Sequence, residues 1–354
     1  MAGVYIAYPF CMQKCTYCNF ASGVFPRELE LRYVEVLLSE LRSTDWPWLP
    51  ETVFLGGGTP SQLAPETLSS ILATIPGAPW LEATLEVAPG NLNLEKALAW
   101  RDAGINRVSL GVQSFVQKEI ARTGRRHTAE IVEREIALLR EAGIDSINVD
   151  LIAGLPSQTA ASWSCSLDWV ERLSVPHVSV YMLEVDEDSR LGRELLVLGS
   201  RYGASEVPED DAIADFYETA VERLAALGIE RYEISNFARP GFESRHNLKY
   251  WKREPYLGFG ADAHSFDGVM RWQNPEAAAD YVAAPGPRER VAADPVSEGC
   301  FLGLRLREGI ESDAFADVID KFVGDGLLER SAGRVKLTSR GVLLSNEVFA
   351  GFLP

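Results

Sequence analysis

Val4-Tyr5-Ile6-Ala7-Tyr8-Pro9-Phe10-Cys11-Met12-Gln13-Lys14-Cys15-Thr16-Tyr17-Cys18-Asn19-Phe20 stands near the start of the chain and decides how the rest is read. Val4 to Tyr8 is a β-branched and aromatic run of strand type, and Pro9 ends it. Directly after it, Cys11, Cys15 and Cys18 follow a C-x-x-x-C-x-x-C spacing. Thiolates are soft ligands, and three of them suit an iron-sulfur cluster. A four-iron cluster held by three protein sulfurs leaves one iron open to a small molecule with nitrogen and oxygen donors. Zinc is the competing reading, but it closes four ligands around the metal. No fourth Cys or His lies in this loop, the nearest His being His127. Gln13, Lys14 and Thr16 between the cysteines speak against plain burial. Cys165, flanked by Trp163 and Trp169, and Cys300, beside Phe301 and Leu302, read as core residues. Five cysteines, three of them crowded together, point to a metal site in a reducing compartment and not to a disulfide framework.

Strand-type runs recur downstream at Thr52 to Leu55, Thr84 to Val87, Arg107 to Gly111, Ile147 to Leu151 and His177 to Met182, each followed by a helical pattern. Leu29, Tyr33, Leu37 and Leu41 mark one such face, and Ile131, Glu135, Leu138 and Ala142 another. Alternating strands and helices predict an α/β fold with a parallel sheet covered by helices. Six units end near residue 185, short of the eight in a closed barrel of roughly 250 residues, so a partial (β/α)6 barrel is expected. A helix is expected from about Pro208 to Leu227 and a further strand within Tyr232 to Phe237. Glu276 to Pro295 reads as a linker, and the tail as a small α+β (winged-helix-like) unit with a hairpin turning at Ala332-Gly333. The expected divisions are residues 1–240, 241–275, 276–297 and 298–354.

Chemistry in such a fold gathers where strands end. The second strand runs into Gly56-Gly57-Gly58-Thr59-Pro60, where backbone can approach a ligand with no side chain between. Polar residues interrupt the apolar runs at the next three strand ends: Glu86, Gln113 and Asp150. Each alone is an ordinary solvated strand end, whereas three in succession beside a cysteine loop and a glycine loop point to one ligand pocket. His127 and His177 have no supporting context, and a surface or strand-start role is expected for them.

The 354 residues carry 34 Lys+Arg against 51 Asp+Glu, a net charge of -17, with 46% hydrophobic residues. That composition excludes disorder and collagen-like repeats, and the negative field disfavours a nucleic-acid binder, Arg125-Arg126 being too short to offset it. No apolar run approaches the roughly 18 residues of a membrane span. Met1 to Phe10 lacks the basic start and cleavage site of a secretory signal, so a soluble, cytoplasmic protein is expected.

The cysteine spacing, placed after the first strand of a βα series, resembles the radical S-adenosylmethionine superfamily. The wider run from Tyr5 to Phe20 is similar to the group that holds oxygen-independent coproporphyrinogen III oxidase and the HemW-type heme chaperones. The resemblance implies a 4Fe-4S cluster on Cys11, Cys15 and Cys18, with S-adenosylmethionine on its open iron. It also implies cofactor contacts from Tyr5, Tyr17, Gly57, Gly58, Thr59, Glu86, Gln113, Arg125 and Asp150. Arg245-His246-Asn247-Leu248-Lys249-Tyr250-Trp251 resembles the H-N-x-x-Y-W signature of the chaperones. It implies heme as a further cofactor, with His246 or Tyr250 either as an axial ligand or as packing beside the pocket. His264 is a second candidate, expected nearer S-adenosylmethionine. The oxidase branch carries an additional cysteine two positions after the third ligand and an N-terminal extension that closes its substrate site. Here that position is Phe20, and the first strand begins within five residues of Met1. The reading that results is a heme chaperone that delivers heme to apo heme proteins such as respiratory subunits, with a homodimer left open. The alternative is a radical enzyme, an oxidase or a methyltransferase.

Overall fold

The computed structural model describes residues 2–287, 289–311 and 314–353. Strands β1 (Ala2–Tyr8), β2 (Pro50–Gly57), β3 (Glu82–Val87), β4 (Arg107–Gln113), β5 (Ser146–Ala153) and β6 (His177–Met182) lie side by side in chain order. Every neighbouring pair among them is parallel. Their side chains alternate with the period of two that a strand imposes. Val4, Ile6, Val53, Leu55, Ala83, Leu85, Val108, Leu110, Ile147, Val149, Val178 and Val180 are buried in the apolar core. The intervening positions, among them Tyr5, Phe54, Glu86, Arg107, Ser109, Asn148, Asp150, Ser179 and Tyr181, face the opposite way and line one polar cavity. The sheet therefore has an apolar helix-covered face and a polar concave face.

The covering helices are α1 (Arg27–Ser43), α2 (Pro65–Leu72), α3 (Leu94–Asp102), α4 (Gln117–Thr123), α5 (Ala129–Glu141), α6 (Ala160–Leu173), α7 (Arg190–Leu196) and α8 (Asp210–Ala226). Polar caps start several of them: the Asn93 side chain accepts from Lys96 N, and Thr128 from Ile131 N. Thr159 and Ser162 form a reciprocal box at α6. On α1, Tyr33, Leu37 and Leu41 are buried, each leucine contributing about 1.5–3 kcal/mol by leaving water. On α5 the buried stripe is Val132, Glu135, Ile136 and Leu139, one residue round from the expected face. Glu135, common to both faces, turns its carboxylate inward to accept from Gly90 N and Leu92 N.

Beyond α8 the sheet grows at both ends. A short hairpin, β7 (Glu230–Arg231) and β8 (Asn236–Ala238), takes the place of the single strand expected there and pairs antiparallel with β6. After α9 (Arg245–Trp251) the chain returns to the other side, where β9 (Tyr256–Phe259) pairs parallel with β1. From there β10 (His264–Phe266), β11 (Met270–Gln273) and β12 (Arg290–Ala292) continue antiparallel, with α10 (Ala278–Ala283) packed on α1 through Tyr281. The stretch expected as a linker thus holds a helix and an edge strand. Ala278 and Tyr281 repeat at helical spacing and are buried, which the local Ala and Pro content hid. The twelve strands end in two free edges, so the barrel is open.

The tail comprises α11 (Pro295–Gly303), α12 (Ala316–Gly324), a hairpin of β13 (Leu328–Ser331) and β14 (Arg334–Leu337), α13 (Ser339–Leu343) and α14 (Ser345–Ala350). Ala332 and Gly333 both adopt left-handed φ, 51° and 79°, as a two-residue turn between twisted strands requires. Cys300 is buried as expected. Cys165 is not: it lies on the exposed face of α6, because the stripe of Trp163, Leu167 and Val170 turns the intervening position outward. No helix among the described residues is long and apolar enough to cross a membrane.

Candidate cofactor site

The cysteine loop leaves β1 at Tyr8 and is pinned at its base, where Cys11 N donates to Gly23 O at 2.8 Å and Gly23 N to Pro9 O at 2.9 Å. Its tip is held from two sides. Thr16 N and Oγ1 donate to the carbonyls of Thr123 and Arg122 at the end of α4, and Leu191 N in α7 donates to Thr16 O. All three cysteines are free and half-buried. Among the described residues no three His, Cys, Asp or Glu side chains converge on one point that a metal ion could occupy. The donor set itself, three soft thiolates in one loop with no fourth Cys or His among them, fits a four-iron cluster, in which each thiolate binds a different iron.

The glycine loop is stitched to the cysteine loop by Gly58 N to Tyr8 O and Thr59 N to Phe10 O, both 2.9 Å. A Cβ on Gly58 would sit 2.7–2.8 Å from the backbone of residues 8–10, so only glycine permits this approach. Gly57 takes a left-handed φ of 100°, and its N–H donates to Glu86 Oε2 at 3.2 Å. Thr59 is half-buried beside it.

At the end of β4 the register with β5 shifts between Gly111 and Gln113, and Gln113 adopts φ 71°. A non-glycine residue held there is a strained position of the kind that collects at ligand sites. Gln113 is buried, yet its Oε1 has no partner. Arg125 donates from Nη1 to Gly111 O at 2.7 Å and lies beside Tyr17 and Cys15, while its Nε is also unpartnered. Two orphaned polar atoms at the mouth, above a cradle that excludes a Cβ, are what a pocket built for a polar cofactor presents. His127, expected at the surface, is buried instead, its Nε2 3.1 Å from Val112 O. Burial, and then the Arg125 charge, push its pKa down to about 4, so it packs as a neutral ring.

Below the mouth lies the lumen, about 210 Å³ and polar, with Tyr5, Glu86 and Asp150 in its walls. Burial, and behind it the Asp150 charge, push the Glu86 carboxyl up to about 8. Burial raises Asp150 too, against donors from Ser179, Asn148 and Ser109. Asn148 Nδ2 donates to Asp150 Oδ1 at 2.7 Å, and Asn148 Oδ1 lies 2.6 Å from His177 Nδ1, whose Nε2 meets Tyr232 Oη at 2.9 Å. His177 begins β6 as expected, and it is buried.

The floor is α9. Glu82, at the start of β3, accepts from Arg245 N and His246 N and from Ser244 Oγ, which fixes the helix N-terminus across the bottom of the barrel. His246 is fully buried, with Nδ1 2.8 Å from Thr52 Oγ1 and Nε2 2.8 Å from Tyr250 Oη. An axial heme ligand needs a free ring nitrogen and an open face for the macrocycle. His246 has neither, and Tyr250 faces a lumen too small for a tetrapyrrole. Both ring nitrogens of His246 are thus engaged inside the protein, an arrangement that fits the packing alternative for this pair. His264 stands exposed at the start of β10, on the outer extension of the sheet and away from the lumen lining.

The structure thus brings the cysteine loop, glycine loop, Gln113, Arg125 and Tyr17 to the mouth, and Tyr5, Glu86 and Asp150 to the lumen. Sequence reading missed Arg107, Ser109, Asn148, Ser179 and Asn247, which line the same lumen. The signal was present: Arg107-Ser109-Gly111, Asn148-Asp150 and His177-Ser179-Tyr181 are polar or small alternations within strands whose other face is apolar.

Comparison with known proteins agrees with this geometry. The Radical SAM superfamily pattern matches residues 5–170. Heme chaperone HemW of Lactococcus lactis is 33% identical, covering 99% of this chain and 96% of that protein. Its namesake in Bacillus subtilis is 34% identical, covering 100% and 99%, and that of Escherichia coli 31% identical, covering 99% and 97%. Among solved structures, the coproporphyrinogen III oxidase HemN of Escherichia coli superposes with a TM-score of 0.84 at 20% identity, covering 99% of this chain and 89% of that one. This last likeness speaks to the fold.

Proposed function

Since the chain belongs to the radical S-adenosylmethionine superfamily, and within it to the family of HemW heme chaperones, we propose that it binds heme and delivers it to apo heme proteins. In this reading Cys11, Cys15 and Cys18 hold a 4Fe-4S cluster, and S-adenosylmethionine lies across the mouth. The observation that carries the reading is identity of 31–34% sustained over practically the whole chain, tail included, with proteins that bear that name.

When bound, a reduced cluster supplies the electron that superfamily chemistry draws on. The chain's own residues do the rest. The glycine-loop backbone and Glu86 would orient the amino-acid and ribose ends of the cofactor, and Gln113 and Arg125 would satisfy their orphaned atoms on it. Tyr17, beside Arg125 and Cys15, would screen the cluster from water. Heme would bind outside the barrel, since α9 floors the lumen and the lumen is small. Phe20, exposed on the cysteine loop where the oxidase has a further cysteine, favours delivery over turnover.

A second reading, a radical enzyme, draws on the built cofactor pocket itself. Anaerobic incubation of the cluster-loaded chain with coproporphyrinogen III, S-adenosylmethionine and reductant separates the two. The expected result is no vinyl product above the no-enzyme control; conversion over many turnovers contradicts the chaperone reading.

A further inference from the structure

Arg107 opens β4 and points into the lumen, 3% exposed. A buried guanidinium is ordinarily paired, because its five donors lose water on burial. Here Nε has no hydrogen-bond partner among the described residues. The charge is felt by Glu86 and Asp150 across the cavity, yet neither carboxylate closes on it as an ion pair. The floor beneath is rigid, since Glu82 and Thr52 anchor α9. The proposed cofactor reading shares Tyr5, Glu86 and Asp150 with this lumen but leaves Arg107 unused, and Arg107 lies at the opposite end of β4 from Gln113.

We propose that the lumen is a second binding site, taking a small organic carboxylate end-on at the Arg107 guanidinium with its flat body against the Phe54 and Tyr250 rings. The planar fork of arginine matches a carboxylate in two parallel bonds. Phe54 stacks on Tyr5 at 6.1 Å and on His246 at 5.3 Å, so the aromatic wall is fixed before any ligand arrives. A cavity of about 210 Å³ holds about seven waters, the room that an acid of benzoate size displaces and a tetrapyrrole exceeds several-fold. Asn247, on α9, supplies an amide at the floor. The site stands on geometry that does not depend on heme delivery.

The test is calorimetric titration of benzoate into the full anaerobic chain, with and without saturating S-adenosylmethionine. The proposal expects one benzoate per chain in both states and a loss of about tenfold or more in Arg107→Gln. Arg107→Lys should recover part of the affinity, as a point charge without the fork. Asn247→Trp, which narrows the cavity and leaves Arg107 in place, should weaken benzoate similarly and keeps the test available if Arg107 variants do not fold. Absence of binding, affinity untouched by these substitutions, or displacement of benzoate by S-adenosylmethionine each overturns the proposal. Inorganic phosphate binding as tightly as benzoate, with the same dependence on Arg107, would overturn the carboxylate assignment. S-adenosylmethionine affinity is read in the same samples, so failure of the cofactor reading is seen separately.

Discussion

Cys15 stands where the cysteine loop meets the mouth of the pocket, between Cys11 and Cys18 in sequence and beside Arg125 and Tyr17 in space. Cys15→Ser should abolish the roughly four irons per chain that three-thiolate ligation implies, read as iron and sulfide content; one tightly held zinc without sulfide would refute the cluster. Gln113 and Asp150 were legible as polar breaks in apolar runs, but the left-handed backbone at Gln113 and the Asn148 bond to Asp150 were not. Gln113→Ala or Asp150→Ala should weaken S-adenosylmethionine with iron content intact, whereas unchanged affinity in both would reduce them to solvated strand ends. Glu86 carries a pH signature. Its folded pKa is raised to about 8 from 4.5, so the native state binds more protons than the unfolded state between these values and stability falls as pH rises through that window. Glu86→Gln removes that loss. Its thermal stability relative to wild type should grow in its favour between pH 5 and pH 8.5, by an amount of the order of a few kcal/mol; parallel pH profiles would contradict the buried, raised carboxyl.

At the scale of elements, the six βα units were legible because β-branched runs and helical stripes alternate without interruption, and the strand termini agree to within two residues. What could not be read was where distant segments dock. Nothing local in Tyr256 to Phe259 says that it pairs parallel with β1, since that partner lies some 250 positions earlier. Nor does the motif His246 to Trp251 announce that it is a floor: its role is set by Glu82 and Thr52 on two other strands. The motif alone does not choose between axial ligand and packing, because imidazole and phenol are equally suited to bind iron or each other. His246→Ala should leave heme affinity within error while lowering stability by about 1–3 kcal/mol, since Thr52 and Tyr250 lose a buried partner. Lost heme affinity with unchanged stability would restore the axial-ligand assignment.

For the whole molecule, the alternation of faces divides the labour. The apolar face of the sheet binds the helices together, and the concave face, freed from that task, collects polar residues from five of the six parallel strands, and Phe54 from β2, into one cavity with a cysteine loop at its mouth. Function above that level lies in full-length similarity, because the same barrel serves an oxidase at 20% identity and carries no activity by itself. The claim that matters most is heme delivery. It is tested directly by loading the anaerobic, cluster-bearing chain with heme and mixing it with an apo heme protein, while the client's own absorption spectrum is followed. The account predicts about one heme per chain, transferred to the client faster than the same amount of free heme binds it. Failure to bind heme, or retention of heme with no gain by the client, would contradict it.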